Sequence, residues 1–296
     1  MHRWGLSMIK APYDGILETA CSSKLLVTIP LWYRPARLIH LTEMIRTLAE
    51  FPVDTLDMII LTQTCDKNEI GVVERLVAPY QSTGKTFRVL PVPELADQFA
   101  LCWEHRKIIK DIFLGSPKYT HFIYFEDDIR FSFLNFCYFL RYRQFLGDQG
   151  LIPSFVRIEY NADKFGFFST DQPDLEQNIH RVVAINNDVT FFELQNPYCA
   201  LYVLDQDLAS EFVRSRSFDR DLSQSVTHWG IPERAAIGLC FENVPSGRSS
   251  RYAIPVANQT QLVSHWSWIH HLPNNFTNQT EQPWGQRRIE SIFRPS

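Results

Sequence analysis

One stretch constrains this chain more than any other: His121-Phe-Ile-Tyr-Phe-Glu126-Asp127-Asp128-Ile-Arg130. Its first five residues, mostly aromatic or β-branched, predict a buried strand, and three consecutive carboxylates stand at its end. Three adjacent acids repel one another, so a compensating cation is expected. Hard oxygen ligands of this kind suit Mg²⁺ or Mn²⁺, which take one or two protein carboxylates and complete their shell with water and substrate phosphates. The plainer alternative is a solvated acidic turn capping a helix that begins near Ser132. Position argues for the cation, because ligands of open α/β sheets sit beyond the carboxyl ends of strands.

Ahead of that stretch, strand and helix alternate. Lys24 to Leu31 (KLLVTIPL) is an apolar strand, and Pro35 opens an amphipathic helix carrying Leu38, Leu41, Ile45 and Leu48. Leu56 to Thr62 is a second strand, and its helix is expected to be capped by Asp66 with Glu69 three residues on. Thr86 to Val92 is a third strand, with Pro91 and Pro93 near its end. A single long helix is expected from Glu94 to Leu114, with Phe99 among its core contacts. The order implies a mostly parallel sheet flanked by helices and joined by right-handed crossovers. It lacks both G-x-G-x-x-G and G-x-x-x-x-G-K-[ST], which removes the main support for dehydrogenase and P-loop chemistry.

The back half is less regular. Phe133 to Phe145 reads as an aromatic helix packed into the core. Ser154 to Tyr160, Arg181 to Ile185, Val189 to Leu194 and Tyr198 to Leu204 read as short strands, several of them antiparallel. Asn161 to Asn178 is polar and turn-rich, as a mobile loop would be. Trp229-Gly-Ile-Pro-Glu233 places a glutamate at a helix start, either as a capping charge or as a base or ligand for an acceptor hydroxyl. His265-Trp-Ser-Trp-Ile-His270-His271 follows a strand at Tyr252 to Val256. The Asn-, Gln- and Thr-rich residues from Asn258 to Asn278 suggest a segment that closes over a ligand. We read the chain as an extension (1–23), a nucleotide-binding half (24–146) and an acceptor-side half (147–296) of one domain.

Composition narrows the partners. With 29 basic against 33 acidic residues the net charge is -4, so a nucleic acid is not the expected partner. No apolar run has the length of a membrane span, and the opening residues lack a signal-peptide pattern, so a cytoplasmic protein is expected. The sequons at Asn258, Asn275 and Asn278 would matter only in a lumenal domain separated from its anchor. The six cysteines form no C-x-x-C pair, which argues against zinc, and each is expected to be a reduced, small hydrophobe.

The order of elements and the Glu126-Asp127-Asp128 triplet resemble a GT-A type (Rossmann-like) nucleotide-sugar glycosyltransferase. The front half is most similar to the N-acetylglucosaminyltransferase I family. The likeness is carried by the first strand with Arg34, the second ending in Gln63-Thr-Cys65-Asp66, the helical His105-Arg106-Lys107-Ile108 and the Glu-Asp-Asp strand before a Phe-rich helix. It covers roughly residues 24–146. The resemblance implies a UDP-sugar donor, a divalent metal held by Asp128, and donor contacts from Glu126 and Asp127. It also implies Arg34 and Asp66 beside the base, Arg106 and Lys107 near the phosphates, and, as in many GT-A enzymes, a late histidine (His270 or His271) on the metal. The acceptor would be a glycan, lipid-linked or other hydroxyl. An inverting transfer would need a base, for which Glu233 comes first, with Glu159 and Asp188 behind it. Two other classes use the same residues: a metal-dependent nucleotide hydrolase or nucleotidyltransferase, and a non-catalytic protein with a degenerate transferase fold.

Overall fold

The computed structural model describes residues 14–172, 181–279 and 281–293. Four parallel strands, β1 (Lys24–Leu31), β2 (Thr55–Thr62), β3 (Lys85–Pro91) and β4 (His121–Phe125), form the main sheet. The strand Leu201–Asp205 is antiparallel on the far side of β4. The order is Leu201–Asp205, β4, β1, β2, β3, so the chain builds outward from β1 and then returns to β1's other edge. The strand order therefore reverses between β1 and β4, and a crevice opens beyond their carboxyl ends. Seven of the eight residues in each of β1 and β2 are buried, as expected for parallel strands covered on both faces.

The helix Leu38–Ala49 follows a turn at Pro35–Arg37, and Lys67–Val77 is capped by Asp66, which accepts from the amides of Asn68 and Glu69. The Glu69 carboxylate takes a hydrogen bond from Thr64 and does not complete a capping box. The long helix expected from Glu94 to Leu114 does not form. Glu94 is in the left-handed region (φ 57°), and Asp97 accepts from the Phe99 amide in a local turn that competes with helix. Only Ala100–Trp103, His105–Ile108 and Ile109–Phe113 are helical, as 3-10, α and π turns in succession. Phe99, expected in the core, is exposed as a result.

Ser132 caps the helix Phe133–Gly147 in a reciprocal box with Asn135, and Phe136, Tyr138, Phe139 and Tyr142 of that helix are buried. A second sheet joins β5 (Val156–Asn161) to Gly166–Ser169 as a hairpin and runs parallel to β6 (Trp268–His271), which pairs in turn with Ile129–Arg130. A third contains Arg181–Ile185, Val189–Glu193, Tyr252–Ala257 and Ile152–Pro153. The expected loop at 161–178 is thus partly strand, because Phe168 and Ser169 bury in the hairpin; residues 173–178 lie outside the described residues. Leu201–Asp205 ties the back half into the front sheet, and one large apolar core runs through both. No helix among the described residues is long and apolar enough to cross a membrane. Of the six thiols, all free, three are buried, but Cys65 is exposed, contrary to expectation.

Candidate functional site

The acids at the end of β4 are met by a strand from the far end of the chain. Leu272 N–H donates to the Asp128 carbonyl (2.9 Å), and β6 pairs residue by residue with Ile129–Arg130, setting His271 opposite Ile129. Side chains alternate across a strand, so the two histidines face opposite ways. His271 is buried, with Nε2 3.5 Å from Asp128 Oδ2 and Nδ1 2.5 Å from Glu159 Oε1 on β5. His270 turns away and places Nε2 3.1 Å from Asn274 Oδ1. Of the two expected metal-site histidines, only His271 reaches the acids.

Arg37 supplies the fixed counter-charge. Its Nε donates to Asp127 Oδ2 (2.7 Å) and its Nη2 to Asp128 Oδ2 (2.8 Å), with a second bond from Nη2 to Asp127. Burial, with the charge of Asp128 added, raises the pKa of Glu126. Burial likewise raises Asp127, against the opposing pull of Arg37. Asp128 behaves differently: burial works against its charge, but His271, Arg37 and Arg157 outweigh it and hold the carboxyl below the usual range. Asp128 is therefore the acid most firmly anionic. Its Oδ1 is buried and has no hydrogen-bond partner, an arrangement that costs about 1–3 kcal/mol unless a ligand answers it.

One cavity borders the triplet, and a second lies behind Tyr198. The smaller, about 240 Å³, is bordered by Arg34, Arg37, Glu126, Asp127 and Pro232. The larger, about 780 Å³, is bordered by Arg157, Tyr198, Glu233 and Phe276. Two of its wall residues reach the acidic site: Tyr198 Oη donates to Glu126 Oε1 (2.8 Å), and the Phe276 ring lies 5.3 Å from the ring of His271. The Trp229–Glu233 turn stands between the two, with Pro232 on one and Glu233 on the other. Ala200, whose carbonyl accepts from the Glu126 amide, holds a positive φ of 56°, a strained backbone of the kind kept at functional sites.

Other residues singled out in the sequence lie elsewhere or are already committed. Arg106 is buried, donates to the carbonyls of Ser217 (2.9 Å) and Ala235 (3.3 Å) and stacks on Trp103, so it braces the core instead of meeting phosphates. Lys107 is exposed and pairs with Glu104 one helical turn back. Asp66 is occupied as a helix cap. Glu159 is fully buried with both oxygens engaged, by His271 and by Thr277 N–H (2.7 Å), which removes it as a base for an acceptor. Asp188 pairs with Arg141 beside a separate cavity of about 560 Å³. The end of the segment 258–278 is tied to the second sheet: Tyr160 N–H donates to Asn274 Oδ1, and Asn161 Nδ2 to the Thr277 carbonyl.

Arg37, Arg157 and Tyr198 escaped sequence reasoning. For Arg37 a signal existed, since it stands three residues after Arg34 in a turn begun by Pro35 and so shares its face.

Among the described residues, no group of three His, Cys, Asp or Glu side chains is arranged to hold a metal ion. Asp128 and His271 offer two ligands, one with a buried orphan oxygen. That set fits a cation such as Mn²⁺ or Mg²⁺ that draws its remaining ligands from water and phosphate, and would not suffice for zinc held by protein alone. No protein-family model matches the chain, and no curated protein matches it.

Proposed function

We propose that the protein is a metal-dependent glycosyltransferase that moves a sugar from a nucleotide-sugar donor, a UDP-sugar, to an acceptor hydroxyl, on a GT-A type fold. The observation that carries this reading is Asp128: a buried, anionic carboxylate with one unpartnered oxygen, beside His271, at the point where the strand order reverses. Asp128 and His271 would hold Mn²⁺ or Mg²⁺, which when bound neutralises charge on the departing nucleoside diphosphate. Arg37 keeps Asp127 and Asp128 together against their mutual repulsion. Arg34, exposed on the rim of the smaller cavity, would meet the nucleotide. Glu233, across the dividing turn, would take the proton of the acceptor hydroxyl as that oxygen attacks the anomeric carbon. The second cavity favours transfer over simple nucleotide hydrolysis, which has no need of an acceptor chamber.

Calorimetry with UDP-sugars, with and without Mn²⁺, tests the reading. Asp128→Asn keeps the side chain's size and removes its charge. The variant should fold, lose Mn²⁺-dependent strengthening of donor binding, and show only background transfer. Metal-dependent donor binding of wild-type affinity in Asp128→Asn, or nucleotide turnover indifferent to any acceptor, would defeat it.

A further inference from the structure

The larger cavity has a chemistry of its own. Its apolar lining is aromatic: Tyr198, Trp229, Phe241, Phe276 and Trp284, with Val226 and Pro197 as the main aliphatic contributions. A lipid chain is best matched by aliphatic side chains, which are scarce among the described residues of this lining. Flat rings instead suit a pyranose, whose C–H faces rest on π surfaces while its rim of hydroxyls needs hydrogen-bonding groups around the edge. Such groups are present in Gln195, Asn196, Thr227 and His228.

Charge narrows the ligand further. Arg157, the one guanidinium among the described lining residues, is gripped by Asp171 through two bonds of 2.9 and 2.6 Å. With that pair neutralised, Glu233 leaves the wall negative, which disfavours a phosphorylated or sulfated ligand. The aromatic wall is also fixed. Trp229 is wedged edge-on between Tyr198 and Phe241, with ring centroids 5.4 and 5.2 Å away. Trp284 is followed by Gly285 at a φ of 71°, where an added Cβ would lie 2.6 Å from the Phe276 carbonyl carbon. Only glycine allows that close approach, which lets the Trp284 segment lie against Phe276. At about 780 Å³ the chamber is within the roughly 300–1,000 Å³ range of small-molecule sites and has room for more than one sugar ring.

We propose that this cavity binds the end of a neutral oligosaccharide, with Trp284 as its stacking platform. Resting on the transferase reading above, this makes the acceptor a carbohydrate and excludes a lipid phosphate.

The test uses saturation-transfer NMR on the full chain with UDP and Mn²⁺. The probes are neutral di- and trisaccharides of hexose and N-acetylhexosamine, a sulfated trisaccharide and a short polyprenyl phosphate. A neutral oligosaccharide should receive saturation mainly on the C–H protons of one ring face. Trp284→Ala should weaken its binding about tenfold or more, Trp284→Phe should restore most of it, and UDP affinity should stay unchanged in both. Binding of only the charged probes, of none of them, or undiminished binding in Trp284→Ala would overturn the proposal while leaving the donor reading standing. If UDP fails to bind but a neutral oligosaccharide still docks through Trp284, the carbohydrate cavity stands and the transferase reading falls.

Discussion

Glu159 and His271 come from strands more than a hundred residues apart in sequence, yet Glu159 Oε1 lies 2.5 Å from His271 Nδ1. That contact orients the ring and turns Nε2 toward Asp128. Against the effect of burial, the two carboxylates raise the pKa of His271. The other oxygen of Glu159 takes the Thr277 amide, so one buried carboxylate fastens both the histidine and the loop that follows it.

Glu159 is accordingly expected to act as a positioning residue. Carboxylates behind metal-bound histidines are typically worth about 10–100-fold in metal affinity. Glu159→Ala should weaken Mn²⁺ binding in the presence of UDP by an amount in that range. Glu159→Gln, which keeps an acceptor for Nδ1, should recover part of it. Mn²⁺ titration followed by electron paramagnetic resonance reads the effect directly. Equal Mn²⁺ affinity in wild type and Glu159→Ala would mean that the contact only supports the fold.

A second carboxylate, remote from the site, makes stability depend on pH. Asp57, buried on β2, accepts from Lys118 Nζ and Tyr119 Oη at 2.5 Å each, and from Thr86. Burial opposes its charge, but these donors together lower its pKa. A carboxyl depressed in the folded state stabilises fully above its unfolded value, near 4, and that contribution is lost as pH falls through the folded value. Asp57→Asn should lower the thermal midpoint at pH 7 by about 2–6 °C, corresponding to roughly 1–3 kcal/mol. The gap to wild type should narrow as the pH is taken below 4. A gap that is constant or widens toward acid would show that the ionised form of Asp57 is not what stabilises the sheet.

What the sequence revealed and what it hid follow the range of the interactions. The strands β1, β2 and β4 are largely buried apolar runs and β3 is an alternating one, and the acids follow the last of them, so local pattern sufficed. Arg37 meets its acids across 90 residues, a pairing that no local pattern encodes. The apolar residues of 94–114 recur at helical intervals, but periodicity cannot register a left-handed Glu94 or a π turn, each of which changes the backbone while leaving the composition alone. Amide-rich 258–278 resembles a mobile segment for a related reason. Asn258 and Asn274 would be solvated in isolation, whereas here Thr190 donates to Asn258, and Asn274 takes the Tyr160 amide.

Glu233 is the residue whose chemistry most needs a direct test. It lies in the first turn of the short helix Ile231–Ala235, and it lines the larger cavity. Its carboxylate packs against Gly230 so closely that a Cβ built there would fall 2.3 Å from Oε2. Two substitutions therefore act on one carboxylate: Glu233→Gln removes its basicity, and Gly230→Ala pushes it aside. Each should leave Mn²⁺-dependent UDP binding near wild type, because the smaller cavity, proposed above for the nucleotide, is bordered by Pro232 and not by Glu233. Transfer to an acceptor should fall about 10²-fold or more in Glu233→Gln, the usual contribution of a general base. A smaller loss is expected in Gly230→Ala, where the displaced side chain still reaches the cavity in part of the population. Steady-state transfer rates measured beside donor affinity separate the possibilities: a parallel loss of UDP affinity in both variants would move Glu233 to the donor side, and an unchanged rate in Glu233→Gln would remove it from the reaction.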